Sequence, residues 1–587
     1  MAGKRIHHPR GGKEMGSNLR KSLALSCLVA ILPAAAACSS ANSNKPAESS
    51  ASPKAVESAK PGGSAKPADS ANAADPAAKF DPPITVTTVR GSAPELFFPG
   101  ETMDKNAIYD AYERDLGVKL KNNWVVDNKE YFSKLKISIA SNDLPDFFKV
   151  SAADLSQLVE SDMVMDLTEA YQKYATDKTK KMLTADGGKQ MKSATFNGKL
   201  MAIPQTNSPF NAAEFVWLRK DWLKEMNLPE PKTMQDLLKI SEAFATRDSG
   251  GKGKMIGLGM DKDVLKKPVG FMNSYHAYPG QWLKDSSGKL AYGSIQPEVK
   301  TALKQLQDLY KAGQLDPEIA VNDNAKLMEQ VANNRVGLMF GAFWYSAAMQ
   351  DAVVKDKKVT QDWGVYTIPS IDSQPSMSQV SAGIDTFYVI NKKAKNPEAV
   401  FKLLNQWVGV LTGGLPKDGE PRAVYSFGKE LKDTGKEVWA VNPFTVLLQD
   451  LYIQGGEHIA KAVQTNDPSA IEWSGDLKNR YEQVKKFNAG DTTFWLQSKI
   501  AGEGGSFAKM YDYFKQNRYH FDEFYGAATP TMVERNELLK TKEEELFTKI
   551  IIGSVSIDEF DKFVAEWKKL GGDKITEEVN AWYSKMK

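Results

Sequence analysis

Both cysteines of this 587-residue chain, Cys27 and Cys38, fall within its first 38 positions. The rest must fold with no disulfide and no cysteine-held metal, and therefore by burying apolar side chains. Length permits this, because the roughly 500 residues after the N-terminal region suffice for two or three domain-sized cores. The formal charge is +3. Lys and Arg alternate with Asp and Glu and build no sustained basic stripe, so nucleic acid is not a candidate partner.

The N-terminus reads as an export signal. Arg20 and Lys21 precede an uncharged stretch from Ser22 to Ala37 with Leu23, Leu25, Leu28, Val29, Ile31 and Leu32, which ends in small residues. It is shorter than the roughly 20 apolar residues of a membrane span. Ala35-Ala36-Ala37-Cys38 resembles the lipobox of bacterial lipoproteins, with Ala35 in place of the commoner leucine. That resemblance implies a signal peptide over 1–37 and a lipidated Cys38 holding the protein to the outer face of the cell membrane. Between Ser39 and Lys79 the only larger aliphatic is Val56. Such a segment buries too little apolar surface to offset ordering entropy, so residues 38–80 are expected to form a disordered tether.

From Ile84-Thr85-Val86-Thr87-Thr88-Val89 to about Val410, short strands alternate with helical patterns, which predicts an α/β class. Pro297 opens a helix with Val299, Leu303, Leu306 and Tyr310 on one face and Gly313 beyond its end. Thr233 and Asp236 cap a second, carrying Leu237, Ile240 and Phe244. Helices are also expected from Asn396-Pro397, carrying Val400, Leu403, Leu404 and Trp407, and from Ser556, carrying Phe560, Val564 and Trp567. Val336–Phe340 and Phe387–Ile390 are apolar throughout, as strands are when helices cover both sheet faces. Thr412 to Ala527 is less regular.

Several segments in order resemble the extracellular solute-binding proteins of carbohydrate importers, especially the large lipoprotein-type branch of Gram-positive bacteria. The landmarks are Ser141-Asn142-Asp143-Leu144-Pro145-Asp146-Phe147-Phe148, Asn197-Gly198-Lys199-Leu200-Met201-Ala202-Ile203-Pro204, and Trp217-Leu218-Arg219-Lys220-Asp221-Trp222-Leu223. Leu309-Tyr310-Lys311-Ala312-Gly313, Gly383-Ile384-Asp385 and Thr529-Pro530-Thr531-Met532 follow. The resemblance implies a monomeric, two-lobe periplasmic-binding-protein-like fold whose discontinuous lobes close by hinge bending. It further implies delivery of an oligosaccharide to a membrane permease of the ABC class and its ATPase. Crossings are expected near Ala202–Ser208, Val380–Asp385 and Gly526–Thr531, giving one lobe of 81–204 plus 381–529 and another of 205–380 plus 530–587. Many relatives carry a calcium loop after the second helix. Here Asp248-Ser249-Gly250-Gly251-Lys252-Gly253-Lys254 keeps one carboxylate and adds two lysines, so no metal and no cofactor is expected.

A sugar presents apolar C–H faces and a rim of hydroxyls, so its site needs aromatic platforms beside amides and charged groups. The chain has 12 Trp, 20 Tyr and 26 Phe, most of them at core spacing. Those in turns near the crossings form three candidate clusters: Gln205, Asn207 and Phe210; His276, Tyr278 and Trp282; and Phe343, Trp344 and Tyr345, which follow a strand end. Asp385 could accept from hydroxyls or cap local backbone. Trp473 and Trp495 complete the set.

An enzyme is disfavoured. No local motif singles out a glycosidase carboxylate pair among the 73 Asp and Glu, and His276, His458 and His520 lack paired zinc spacing. Neither a Gly-x-Ser-x-Gly elbow nor a phosphate loop occurs. A receptor for a peptide or another small metabolite remains open, as does a surface scaffold without transport function.

Overall fold

A computed structural model describes residues 78–92, 100–251, 253–381, 384–413, 441–526 and 528–586, together with Pro76. The expected signal peptide, Cys38 and nearly all of the tether lie outside the described residues, as does the side chain of Asp385.

The principal strands are β1 (Ile84–Ser92), β2 (Val118–Asp127), β3 (Phe147–Val150), β4 (Ile203–Thr206), β5 (Glu214–Arg219), β6 (Leu338–Ala342), β7 (Trp363–Tyr366), β8 (Ser378–Val380), β9 (Ile384–Ile390) and β10 (Tyr519–Phe521). In lobe 1, β1 and β2 pair in parallel with Ile84 opposite Val118, and β9 runs antiparallel between β3 and β4. Thr87 ties the two groups together. Its amide and hydroxyl both donate to Asp146 Oδ2, at 2.8 and 2.7 Å, just before β3. Lobe 2 is built on the antiparallel order β6-β5-β7, with β8 and β10 paired in parallel beside it.

The helices begin where capping chemistry places them. The helix Met234–Thr246 carries a reciprocal cap, with Thr233 Oγ1 accepting from the Asp236 amide and Asp236 Oδ2 from the Thr233 amide. Pro297 and Pro397 each open a 15-residue helix. Their apolar faces are buried: Val299, Leu303 and Leu306 in one, Val400, Leu403, Leu404 and Trp407 in the other. The last of the expected helices starts three residues after Ser556, at Glu559, because Ser556 Oγ is bonded to Asp558 in the preceding turn.

One hydrophobic core gathers residues 86–203 with 387–446, and two others join residues 210–380 with segments of 453–519 and 547–560. A smaller cluster adds Trp282 to Met532, Phe563 and Trp567. The cores change between 204 and 209, between 380 and 384, and a third time between 448 and 451. This corrects the third crossing, expected at Gly526–Thr531. The helices Leu451–Thr465, Gly475–Asn488 and Ser506–Lys515 bury Ile453, Leu477, Tyr481, Phe507 and Met510 against lobe 2, so the stretch assigned above to lobe 1 divides near residue 449. The tether boundary shifts too. The Phe80 amide donates to Leu116 O at 2.9 Å and its ring packs on lobe 1, so the fold begins before residue 81.

Candidate functional site

Where β1, β3 and β4 end, the backbone leaves a cavity of about 400 Å³ on lobe 1. The open end of a parallel strand set is where α/β folds place ligands, because loops rather than paired backbone occupy it. Arg90, at the end of β1, donates from its two terminal nitrogens to the carbonyls of Val441 and Asn442, both at 3.0 Å. It thereby fixes residues 441–447 as one wall. Tyr388 of β9 holds the same segment, accepting from the Thr445 amide at 2.8 Å, and Phe444 stacks on Phe147 at 5.4 Å.

Opposite lies Tyr131. Its hydroxyl donates to Lys149 O at 2.9 Å and accepts from the Lys149 amide at 3.1 Å, locking the end of β3. Burial pushes this phenol well above its ordinary pKa, so it stays a neutral donor and acceptor. The Lys149 ammonium sits 5.7 Å from the ring centre. Gln205, Asn207, Asn128 and Thr88 add amides and a hydroxyl. The described lining holds Arg90 and Lys149 and no carboxylate.

Asn207 and Leu447 are shared with a smaller cavity of about 120 Å³, which reaches lobe 2 through Tyr452, Ser474, Asp476 and Arg480. Arg480 binds Asp476 at 2.9 Å and Gln497 at 3.0 Å. Both cavities therefore lie along one side of the crossing strands.

The candidate residues separate by burial. Gln205 and Asn207 face the first cavity, with Gln205 Oε1 accepting from Thr386 and Asn207 Oδ1 from the Ser208 amide at 2.8 Å. Trp344 is 49% exposed at the turn after β6. Its neighbour Phe343 is buried between Tyr452 at 4.8 Å and Phe507 at 5.6 Å, which anchors that turn beside the smaller cavity. Tyr345 is buried, and its ring fills the space where a side chain on Gly341 would stand. Trp473 is half-buried against the lobe 2 core.

Three further candidates are buried, and a fourth, His276, is partly exposed. Trp495 has no exposed surface, and Trp282 is packed with Tyr292 and Phe524. Tyr278 is buried, and His276 pairs with Asp372 at 3.0 Å. The segment carrying the last three is drawn to β8 and β10 instead, since Gln281 donates to Val380 O at 2.7 Å and the Trp282 amide to Asp522 at 3.0 Å. Phe210 lines neither of these cavities but a third, with its ring 4.6 Å from that of Tyr519.

Residues 100–408 match the sequence profile of the bacterial extracellular solute-binding proteins. The chain belongs to this family. Among relatives, it is similar to lipoprotein LipO of Bacillus subtilis, at 24% identity over 85% of this chain and 93% of LipO. It is also similar to the polygalacturonan/rhamnogalacturonan-binding protein YtcQ of the same organism, at 23% identity over 81% and 87%. A solved solute-binding protein from Bifidobacterium longum infantis, described as HMO-binding and transporter-associated, shares the fold with a TM-score of 0.58 at 15% identity, over 85% of this chain and 98% of that one. The fold is thus the two-lobe one of solute-binding proteins. Among the described residues of this family member, no helix is long and apolar enough to cross a membrane, and no group of three metal-ligating side chains occurs.

Proposed function

We propose that this solute-binding protein captures an oligosaccharide between its lobes and hands it, without chemical change, to an ABC permease driven by an ATPase. In this reading lobe 1 comprises 78–204 with 384–448, lobe 2 comprises 209–380 with 451–586, and the crossings between them act as hinges. Cys38 carries the lipid that holds the receptor on the outer face of the membrane.

The observation that carries the proposal is the cavity at the strand ends of lobe 1, where Gln205, Asn207, Asn128, Arg90 and Lys149 supply hydrogen-bonding groups beside the aromatic ring of Tyr388. The exposed indole of Trp344 supplies a stacking platform from lobe 2. Asp385 adjoins the second crossing in sequence, and it and the half-buried Trp473 serve as secondary contacts. A glycosidase needs two carboxylates about the scissile bond, and the described lining of this cavity has none. YtcQ, named for pectic polymers, makes galacturonan and rhamnogalacturonan fragments the first ligands to try.

The test is calorimetry on residues 78–587 with pectic, fructan and milk-type oligosaccharides, and with peptides of matching size. Saturable binding of one oligosaccharide class with no product formed is the expected result. Binding of peptides alone, or turnover of a sugar, defeats the proposal.

A further inference from the structure

A separate pocket of about 540 Å³ also lies at the crossings. Lobe 1 contributes Asp186, Lys189 and Gln190, and lobe 2 contributes Phe210, Glu457, Phe514, Phe521 and Asp522, with Gln449 and Asp450 on the connecting segment. None of these residues lines the lobe 1 cavity.

Two of its side chains carry unpartnered atoms, although Gln449 Nε2 reaches Met182 O at 3.5 Å. Gln190 is 0% exposed, and neither its Oε1 nor its Nε2 has a hydrogen bond; Gln449 is 3% exposed, and its Oε1 has none. A buried amide left unpaired is destabilising, so such groups mark a place where a polar partner belongs. Both glutamines line the pocket.

The charge of the wall selects the partner. Asp186, Asp450, Glu457 and Asp522 line it with Lys189, whose ammonium lies 5.1 Å over Phe521, and with His458, which stands 3.5 Å from Glu457. Asp186 is bonded to the amides of Gly188 and Gln190, at 2.8 and 2.7 Å, and Asp450 to Gln454 at 2.6 Å. These bonds fix the carboxylates and leave each with further acceptor capacity. Phe514 is 50% exposed, and Phe210, Phe521 and Tyr525 join it to form aromatic faces. Acceptors in excess beside aromatic rings suit an ammonium group on a short carbon chain, which donates three hydrogen bonds and is drawn to ring faces.

We infer that this pocket is a second binding site, specific for a small organic amine in its ammonium form and separate from the lobe 1 cavity. The probes are one isosteric series: 1,4-diaminobutane, butylamine, 1,4-butanediol and succinate, titrated calorimetrically at pH 7 into residues 78–587. The diamine is expected to bind saturably, the monoamine more weakly, and the diol and diacid not at all. Asp450→Asn and Gln190→Leu should each weaken the diamine at least ten-fold. Gln190→Leu removes an unpartnered amide, so urea denaturation should show a fold at least as stable as the parent's. Arg90→Ala, in the other cavity, should leave diamine binding intact, so this site stands or falls independently of the oligosaccharide reading. Equal binding of the diol, absence of any binding, or diamine binding indifferent to Asp450→Asn overturns the inference.

Discussion

The phenol of Tyr278 stacks on the imidazole of His520 at 4.1 Å, with the two rings 15° from parallel. Gln281 spends its amide nitrogen on Val380 O, which leaves its Oε1 to accept from His520 Nδ1 at 3.0 Å. The imidazole is therefore held neutral with its proton on Nδ1, and burial pushes its pKa down to about 4 from an ordinary 6.5. Between these values the unfolded chain takes up a proton that the folded one refuses, so this contribution to stability is lost as pH falls from 6.5 towards 4. His520→Phe keeps a stacked ring and removes the titration. Urea denaturation at pH 7 and pH 5 should show the variant gaining on the parent at the lower pH; a constant difference would refute the assignment.

Glu214 acts in the opposite sense. It opens β5 with its Oε2 accepting from the Gly270 amide at 2.9 Å, and enclosure pushes its carboxyl pKa up to about 7. The folded state then holds a proton that the unfolded carboxyl, near 4.5, has lost. Stability from this group is complete below 4.5 and is lost as pH rises through 7. Glu214→Gln keeps the shape without the titration, so relative to the parent it should gain stability between pH 5 and pH 8. Melting temperatures across that range provide the check.

Most of the fold could be read from the chain because its determinants are local. Thr233 and Asp236 cap a helix wherever it packs, and the apolar spacing from Val299 to Leu306 specifies a buried face in any α/β setting. The third crossing could not be read. Residues 451–515 carry helices of mixed character, and only the burial of Leu477, Tyr481 and Phe507 in one core with residues of β5 and β6 shows which lobe they join. The site divides in the same way. Gln205, Asn207 and Trp344 adjoin strand ends that the sequence marks. Arg90 does too, and its position one residue after the expected first strand was a usable signal. Lys149 and Tyr388 lie inside strands, and nothing local distinguishes a cavity-lining strand residue from one facing a helix. The segment 276–282 bonds to β8 and β10, a pairing the sequence does not signal because aromatics in a turn look alike whether they meet a ligand or a second strand pair.

Calcium should leave the protein unchanged. In the turn after the helix Met234–Thr246, Asp248 Oδ1 is committed to the Gly250 amide at 2.9 Å, which is ordinary turn chemistry. A calcium ion needs six to eight oxygens, and this turn offers one carboxylate. Melting temperatures with millimolar calcium and with chelator should coincide; a rise that tracks calcium concentration would show a site elsewhere in the chain.

Trp344 and Trp495 belong to the same candidate set, and exposure predicts opposite behaviour for them. Trp495 is wholly enclosed by the lobe 2 core, so Trp495→Ala leaves a large cavity and should cost about 3–5 kcal/mol of stability. Ligand affinity, measured where the variant is still folded, should stay near that of the parent. Trp344 stands half exposed after β6 while Phe343 carries the packing of that turn, so Trp344→Ala should change stability by no more than about 0.5 kcal/mol. If its indole stacks on a sugar ring, the same change should weaken oligosaccharide binding by about 1 kcal/mol or more. Urea denaturation and calorimetry on both variants separate the two roles. Should Trp344→Ala unfold the protein, or bind every oligosaccharide as the parent does, the indole is not the platform, and the ligand contacts of lobe 2 would have to come from Tyr452, Trp473 and Arg480 instead.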